Sequence, residues 1–95
     1  MAAVILSEQA KKDLDSIHNY ISMDSPFYAQ RQVEKVLRRI NRIPFTLSGG
    51  RRVPELNHDT IREVFEGQYR IIYSIQKHET IEIIAILHFS QLFNK

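Results

Sequence analysis

The second half of the chain holds three strand-like segments with almost no residues between them. They run from Ile61 to Glu66, from Tyr69 to Tyr73 and from Ile81 to His88. Parallel pairing needs a crossover of about a dozen residues or more, whereas an antiparallel hairpin needs only about two. The spacing therefore predicts an antiparallel meander, with its first turn at Gly67.

The first half of the chain predicts one short strand followed by two helices. The strand is Val4 to Leu6, and Ser7 can cap a helix that runs from about Glu8 to Ser22. A second helix begins after Ser25, with Pro26 at its first position, and stops before Pro44. Both helices carry an apolar stripe at helical spacing. The stripes are Ala10, Leu14, Ile17 and Ile21, then Ala29, Val33, Val36, Leu37 and Ile40.

These elements predict one two-layer α+β domain over residues 1–95, in the order β-α-α-β-β-β. A helical hairpin would pack on a small, mainly antiparallel sheet. A chain of this length buries about 60–70% of its unfolded surface, which suffices for one modest core. The loop from Pro44 to Thr60 has no periodicity, and loops of this length are often functional. The tail from Phe89 to Lys95 is expected to cap the sheet.

Composition excludes several classes of function. The chain has no cysteine, so disulfides, thiolate metal sites and cysteine nucleophiles are all impossible. None of its four histidines has metal-ligand spacing to another histidine or to a carboxylate cluster, and we predict neither a metal nor a cofactor. The N-terminus has no signal-peptide pattern and no run long enough to span a membrane. We therefore expect a cytoplasmic protein without a membrane partner.

Positive charge is concentrated in the middle of the chain. The net charge is only +2, but seven cations fall within 31–52, where the single acid is Glu34. Such a segment predicts either a solvated helix face or a basic surface for a phosphate backbone or an acidic protein. The seven cations are Arg31, Lys35, Arg38, Arg39, Arg42, Arg51 and Arg52.

The register of the first hairpin brings two charges together. With Glu66 and Gly67 as its two-residue loop, Arg70 lies opposite Glu63. One interpretation is an exposed cross-strand ion pair, which contributes well under about 1 kcal/mol. The other is an arginine available to bind a phosphate group.

The register of the second hairpin adds a histidine to this face. With Ile75 opposite Ile81, Arg70 faces Ile86 and lies diagonal to His88. His88 is then either a capping histidine or a group able to exchange protons near neutral pH. One side of the sheet is expected to carry Glu63, Arg70 and His88. The other, under the helices, is expected to carry Tyr69, Ile71, Tyr73 and Ile75.

Several motifs together resemble a known family. They are Gly50-Arg51-Arg52-Val53-Pro54-Glu55-Leu56, Ile61-Arg62-Glu63, Tyr69-Arg70-Ile71-Ile72-Tyr73 and Ile83-Ile84-Ala85-Ile86-Leu87-His88, after the opening Leu6-Ser7-x-x-Ala10-x-x-Asp13-Leu14-x-x-Ile17. In this order they are similar to the RelE/ParE superfamily of type II toxin–antitoxin toxins. The Gly-Arg-x-Val-Pro-Glu loop and the Arg-Glu strand most resemble the ParE-like branch.

The resemblance implies one of two toxic activities. ParE-like toxins poison DNA gyrase and need no catalytic group, and here Arg51, Arg52, Arg62 and Arg70 would contact the target. RelE-like and YoeB-like toxins are ribosome-dependent ribonucleases that cut mRNA, and the trio that would match the YoeB-like site is Glu55, Arg70 and His88. Phe89 stands where the YoeB-like site has tyrosine. We favour the gyrase poison.

The resemblance also implies partners. A cognate antitoxin is expected to fold along the helical hairpin and to add to the sheet, giving a toxin–antitoxin hetero-oligomer. The target would be DNA gyrase, or the ribosome and its mRNA for a ribonuclease. A third hypothesis is a non-toxic homologue that only binds an antitoxin.

Overall fold

A computed structural model describes residues 3–45 and 50–93 of the chain. The helices are α1 (Glu8–Ser22) and α2 (Pro26–Arg42), and the strands are β1 (Val4–Leu6), β2 (Arg51–Arg52), β3 (Ile61–Glu66), β4 (Tyr69–Ile75) and β5 (Ile81–His88). Single 3-10 turns follow α2 (Ile43–Phe45) and precede β5 (Lys77–Glu79). Strand β2 lies inside the predicted loop, of which 46–49 fall outside the described residues.

The five strands form one mixed sheet in the order β1-β5-β4-β3-β2. The pairs β2–β3, β3–β4 and β4–β5 are antiparallel, which confirms the predicted meander. Strand β1 pairs with β5 in parallel. The α+β class with a helical hairpin on the sheet is therefore confirmed. No helix within the described ranges is long and apolar enough to cross a membrane.

Both helices begin at the predicted serine caps. Ser7 Oγ accepts a hydrogen bond from the Ala10 amide at 3.0 Å, and Ser25 Oγ accepts one from the Tyr28 amide at 3.2 Å. These bonds satisfy amides that have no partner within the helix. Pro26 follows the second cap, where its missing amide proton costs nothing.

Apolar side chains form a core on each side of the sheet. The inner face, under the helices, is the larger and includes Val36, Ile40, Ile71, Tyr73 and Ile83. The outer face carries a smaller cluster of Val53, Ile61, Ile72, Ala85 and Phe93. Loop and tail residues thus cover the outer face, and the predicted inward side of β4 is confirmed.

The first hairpin turns one residue later than predicted. Its loop is Gly67 and Gln68, and Gly67 has φ 58°, a conformation that glycine adopts without steric cost. Arg70 therefore lies opposite Phe65, so the predicted register with Glu63 is wrong, although Arg70 and Glu63 do form the expected ion pair. The register differs by two residues, which preserves the face of every side chain, so Glu63 and Arg70 still share the outer face.

The second hairpin contains a β-bulge that the sequence analysis did not foresee. Ile75 lies opposite Ile81 as expected, but Ile84 has no partner on β4. After Ile84 the register between β5 and β4 shifts by one residue. Each later side chain of β5 therefore lies on the face opposite to the predicted one. His88 lies opposite Tyr69 on the inner face, so its predicted place beside Arg70 is wrong.

Polar groups at the start of the chain satisfy the backbone around the bulge. Ser7 Oγ donates to the Ile84 carbonyl at 2.9 Å, and the Ile86 amide donates to Asp13 Oδ2 at 2.9 Å. Both backbone groups would otherwise lack a strand partner in a partly buried place. The bulge is therefore held by α1 and its cap.

Candidate functional site

The outer face of the sheet is organised around Arg70. This residue is 5% exposed, and its Nε donates to Glu63 Oε1 at 2.7 Å. Nη1 and Nη2 donate to the two carboxylate oxygens of Glu55 at 2.7 and 2.8 Å, and Nη1 also donates to the Gln91 carbonyl at 2.8 Å. Four of the five guanidinium protons thus have protein acceptors. The expected exposed ion pair is instead a buried network.

Glu63 joins this network to the edge strand. Its side chain is fully buried between two arginines, because Arg51 Nε donates to Glu63 Oε2 at 2.7 Å while Arg70 occupies Oε1. Arg51 and Glu63 are direct cross-strand partners. A buried carboxylate is stable only when it is paired and hydrogen-bonded, and two arginines supply both conditions.

Glu55 joins the loop before β3 to the tail. It binds Arg70 through both oxygens, and its Oε2 also accepts the Phe93 amide at 2.8 Å. The Arg70 hydrogen bonds lower the Glu55 pKa most, the Phe93 amide lowers it further, and the result is about 2. The same ion pair raises the pKa of Arg70. Glu55 is therefore an ionised, immobilised carboxylate near neutral pH.

An exposed patch surrounds the rim of this network. A shallow pocket of about 500 Å³ lies beside it. Three apolar side chains border the pocket although they remain 42%, 58% and 74% exposed, namely Phe65, Phe89 and Leu92. The Arg51 guanidinium carbon lies 5.2 Å from the Phe65 ring centre. We call Arg51, Phe65, Phe89 and Leu92 the outer patch.

His88 lies on the inner face of the sheet, although its ring centre is 4.6 Å from that of Phe89 in the outer patch. Its Nδ1 lies 2.7 Å from Ser90 Oγ, its Nε2 lies 3.4 Å from Gln68 Oε1, and its ring stands edge-on to Tyr69 at 6.0 Å. It borders a groove of about 700 Å³ against α1, which Tyr20 also lines. The structure therefore brings Glu55 and Arg70 together and leaves His88 on the opposite face.

The four arginines expected to contact a target also divide between the two faces. Arg51 and Arg70 lie on the outer face, whereas Arg52 and Arg62 are partners on the inner face. Asp59 holds both inner ones, through an ion pair from its carboxylate to Arg52 and through its carbonyl to Arg62 Nε at 2.8 Å. They do not form one continuous surface.

Two members of the network were missed in the sequence. The Gln91 carbonyl and the Phe93 amide are backbone groups, and a backbone group has no signature in sequence. Arg51 and Glu63 were both noted, but their pairing depends on β2, which is too short to show periodicity. Within 3–45 and 50–93, no group of three or more histidine, aspartate or glutamate side chains could hold a metal ion.

Comparison with known proteins identifies the family. The family described as the ParE toxin of the type II toxin–antitoxin system parDE matches residues 4–93. A chain of the chromosomal ParDE TA system from P. aeruginosa is similar at TM-score 0.76 and 20% identity, over 93% of this chain and 96% of that chain. A chain of the RelBE2 toxin–antitoxin complex from Mycobacterium tuberculosis is similar at TM-score 0.60 and 23% identity, over 90% and 95%. At these identities the structural matches show a common fold. No curated protein sequence matches significantly. Since the family match spans nearly the whole chain, the protein belongs to the ParE toxin family of type II toxin–antitoxin systems.

Proposed function

We propose that this ParE-family toxin arrests bacterial growth by poisoning DNA gyrase, and that it acts through a binding surface instead of a catalytic site. The observation that carries the proposal is that Arg70 is buried and that other groups of the protein already accept its hydrogen bonds. Arg70 is 5% exposed, and its guanidinium already binds Glu55, Glu63 and the Gln91 carbonyl. An arginine that stabilises a phosphate in a transition state needs donors directed at that phosphate.

The positions of Glu55, Arg70 and His88 also do not suit the acid–base chemistry of a ribonuclease. A general acid or base is most efficient when its pKa lies near the working pH, but Arg70 lowers the pKa of Glu55 to about 2, far below that range. His88 lies on the inner face, across the sheet from Glu55 and Arg70. The trio expected for mRNA cleavage therefore does not converge on one bond.

The outer patch is the surface that we assign to the target. Arg51 and the apolar side chains beside it combine a cation with exposed aromatic area, the composition typical of protein-binding hot spots. The Arg70 network fixes the backbone of this patch from beneath, since it binds the Gln91 carbonyl and, through Glu55, the Phe93 amide. In this proposal Arg70 is a positioning residue.

We place the antitoxin on the helical side. The two solved structures described above come from toxin–antitoxin systems. The tip of the helical hairpin leaves four large apolar side chains 65–83% exposed, which are Tyr20, Met23, Phe27 and Tyr28. A disordered antitoxin segment could fold over this tip and extend the sheet at its short edge strand β2. Toxin and antitoxin would then form a hetero-oligomer.

Induced expression of the full chain in bacteria tests the proposal. We expect growth arrest with an SOS response while protein synthesis continues at first, and the purified protein should inhibit supercoiling by gyrase. Cleavage of mRNA within ribosome-protected codons, lost in His88→Ala, would identify a ribonuclease instead. Normal growth despite soluble expression would leave only antitoxin binding.

A pair of surface variants separates the two proposed interfaces. Phe89→Ser should reduce gyrase inhibition and leave antitoxin binding intact, because Phe89 lies in the outer patch and is 58% exposed. Tyr28→Ser removes an aromatic ring of similar exposure at the hairpin tip and should have the opposite effects. Equal gyrase inhibition by both variants would contradict the assignment of the outer patch.

A further inference from the structure

Helix α2 carries a line of cations along one side. Arg31, Lys35 and Arg38 follow one another at helical spacing, so their side chains lie one above the other. Arg42 continues the line, which is about 16 Å long at the helical rise of about 1.5 Å per residue. All four residues are exposed. We call Arg31, Lys35, Arg38 and Arg42 the basic row.

The basic row faces away from the sheet. The buried residues of α2 are Ala29, Val36 and Ile40, which pack toward the interior. With about 3.6 residues per turn, these three positions lie on the side of the helix opposite to the basic row. The row is therefore open to a large partner along its whole length.

The charge of the basic row is not neutralised within the protein. In the part of the chain that the structure describes, no carboxylate forms an ion pair with Arg31, Lys35 or Arg38, not even Glu34 on the same helix. Cations elsewhere do bind carboxylates, namely Lys11, Arg51, Arg52 and Arg70. Like charges at this spacing repel one another, so an anionic partner along the row would stabilise the helix.

The surface around the basic row suits a phosphate backbone better than a protein. Protein interfaces have a core that is depleted of charged residues. The outward side of α2 beyond Tyr28 holds only charged or polar residues, which are Arg31, Glu34, Lys35, Arg38, Asn41 and Arg42. Duplex DNA carries one negative charge per about 1.7 Å of its axis, and it requires no apolar contact from a protein that neutralises its phosphates.

We propose that the basic row binds the phosphate backbone of duplex DNA without reading its sequence. Phe27 supports the first cation of the row, since its ring centre lies 5.6 Å from the Arg31 guanidinium carbon. Only the choice of DNA among polyanions rests on the proposed function, because DNA is what gyrase acts on. The row belongs to the helical layer, and it was not used in assigning the outer patch to the target.

Fluorescence anisotropy of a labelled DNA duplex with the purified full chain tests this binding directly. The logarithm of the association constant should fall linearly with the logarithm of the salt concentration, with a slope of about −0.9 for each neutralised phosphate. Three or four contacts predict a slope between about −2.7 and −3.6, which is a loss of about 40-fold or more in affinity between about 50 and 200 mM salt. Arg31→Gln, Lys35→Gln and Arg38→Gln should each reduce this slope by about 1.

Two further variants serve as controls. Lys11→Gln changes the same residue type as Lys35→Gln on the neighbouring helix, but Lys11 Nζ already lies 3.3 Å from Glu8 Oε1, so the slope should stay as in the wild type. Glu34→Gln removes the acid beside the basic row and should strengthen binding to the duplex. All of these positions are exposed, so the variants should remain folded.

Several outcomes would overturn the inference. A slope near zero for the wild type would do so, and so would equal effects of Lys35→Gln and Lys11→Gln. Tighter binding of a polyglutamate peptide than of the duplex would assign the row to an acidic protein instead. Inhibition of gyrase by a chain that does not bind the duplex would overturn this inference and leave the proposed function standing. Duplex binding with the expected slope but without gyrase inhibition would support the basic row and count against the proposed target.

Discussion

At the scale of single residues, Arg70 connects three parts of the chain that are distant in sequence. Its guanidinium links strand β4 to Glu63 on β3, to Glu55 in the preceding loop and to the carbonyl of Gln91 in the tail. Removal of one member of a buried ion pair leaves the other charge without water and without its partner. The stability lost on removing Arg70 therefore reflects mainly the cost of leaving the carboxylates of Glu63 and Glu55 without this partner.

We expect Arg70→Ala to lower the free energy of unfolding by about 3–5 kcal/mol, because Glu63 would stay buried with one of its two arginines missing. Chemical denaturation measures this loss. Arg52→Ala is the control, since it breaks an exposed ion pair with Asp59 and should cost less than about 1 kcal/mol. Equal losses in the two variants would show that the Arg70 network contributes no more than a surface pair.

Glu55 should make stability depend on pH in the acid range. Its pKa is about 2 in the folded protein against 4.5 for an ordinary glutamate, so the folded state binds its proton more weakly. The stabilisation is complete above pH 4.5 and is lost as the pH falls toward 2. Urea midpoints measured across this range should fall more steeply in the wild type than in Glu55→Gln. Parallel curves would contradict the low pKa.

At the scale of elements, the bulge in β5 decides which functional side chains meet. A single unpaired residue, Ile84, turns His88 away from Arg70 and toward α1. The backbone around it is bound by Ser7 and Asp13 through side chains at the start of the chain. The first helix thus fixes the register at the far end of the last strand.

Loss of the Asp13 carboxylate should weaken the bulge. We expect Asp13→Ala to lower the free energy of unfolding by about 1–3 kcal/mol, because the Ile86 amide would lose its acceptor in a partly buried place. Amide hydrogen exchange at Ile86 should accelerate as well. Asp13→Asn keeps an acceptor oxygen and should lose less, whereas Asp15→Ala removes an exposed carboxylate from the same helix and serves as the control. Unchanged exchange at Ile86 in Asp13→Ala would contradict this role.

At the scale of the whole molecule, the sheet is covered on both faces by different means. The helical hairpin covers the inner face, while loop residues and the tail cover the outer one, where Phe93 is 8% exposed. This division leaves the outer patch open around a buried charge network. In our proposal, one of these two surfaces binds the target and the other binds the antitoxin.

The tail should therefore contribute strongly to stability. Phe93→Ala is expected to lower the free energy of unfolding by about 3–5 kcal/mol, since it opens a cavity in the outer cluster. Leu92→Ala is the neighbouring control, because Leu92 is 74% exposed and its truncation should change stability by less than about 0.5 kcal/mol. Similar values for both variants would show that the tail does not close the outer face.

The sequence by itself determined the helices, the long strands and their order, but it did not predict the two-residue strand β2. Caps, prolines and apolar periods are local signals, and they predicted both helices and the antiparallel meander because each is set by residues close in the chain. The resemblance of short motifs to the RelE/ParE superfamily was equally readable, and the family match confirms it. Glu63 and Arg70 were correctly placed on one face because a shift of two residues in register preserves it.

Only the tertiary structure decided the composition of the site. The bulge at Ile84 depends on hydrogen bonds from α1, which lies more than 70 positions earlier in the chain, and no local pattern of β5 reports it. The burial of Arg70 depends on Glu55 and on backbone groups of the tail, which reach it only after the chain has folded. Local propensity is a property of neighbours in sequence, whereas burial and the final partner of a charge are properties of neighbours in space.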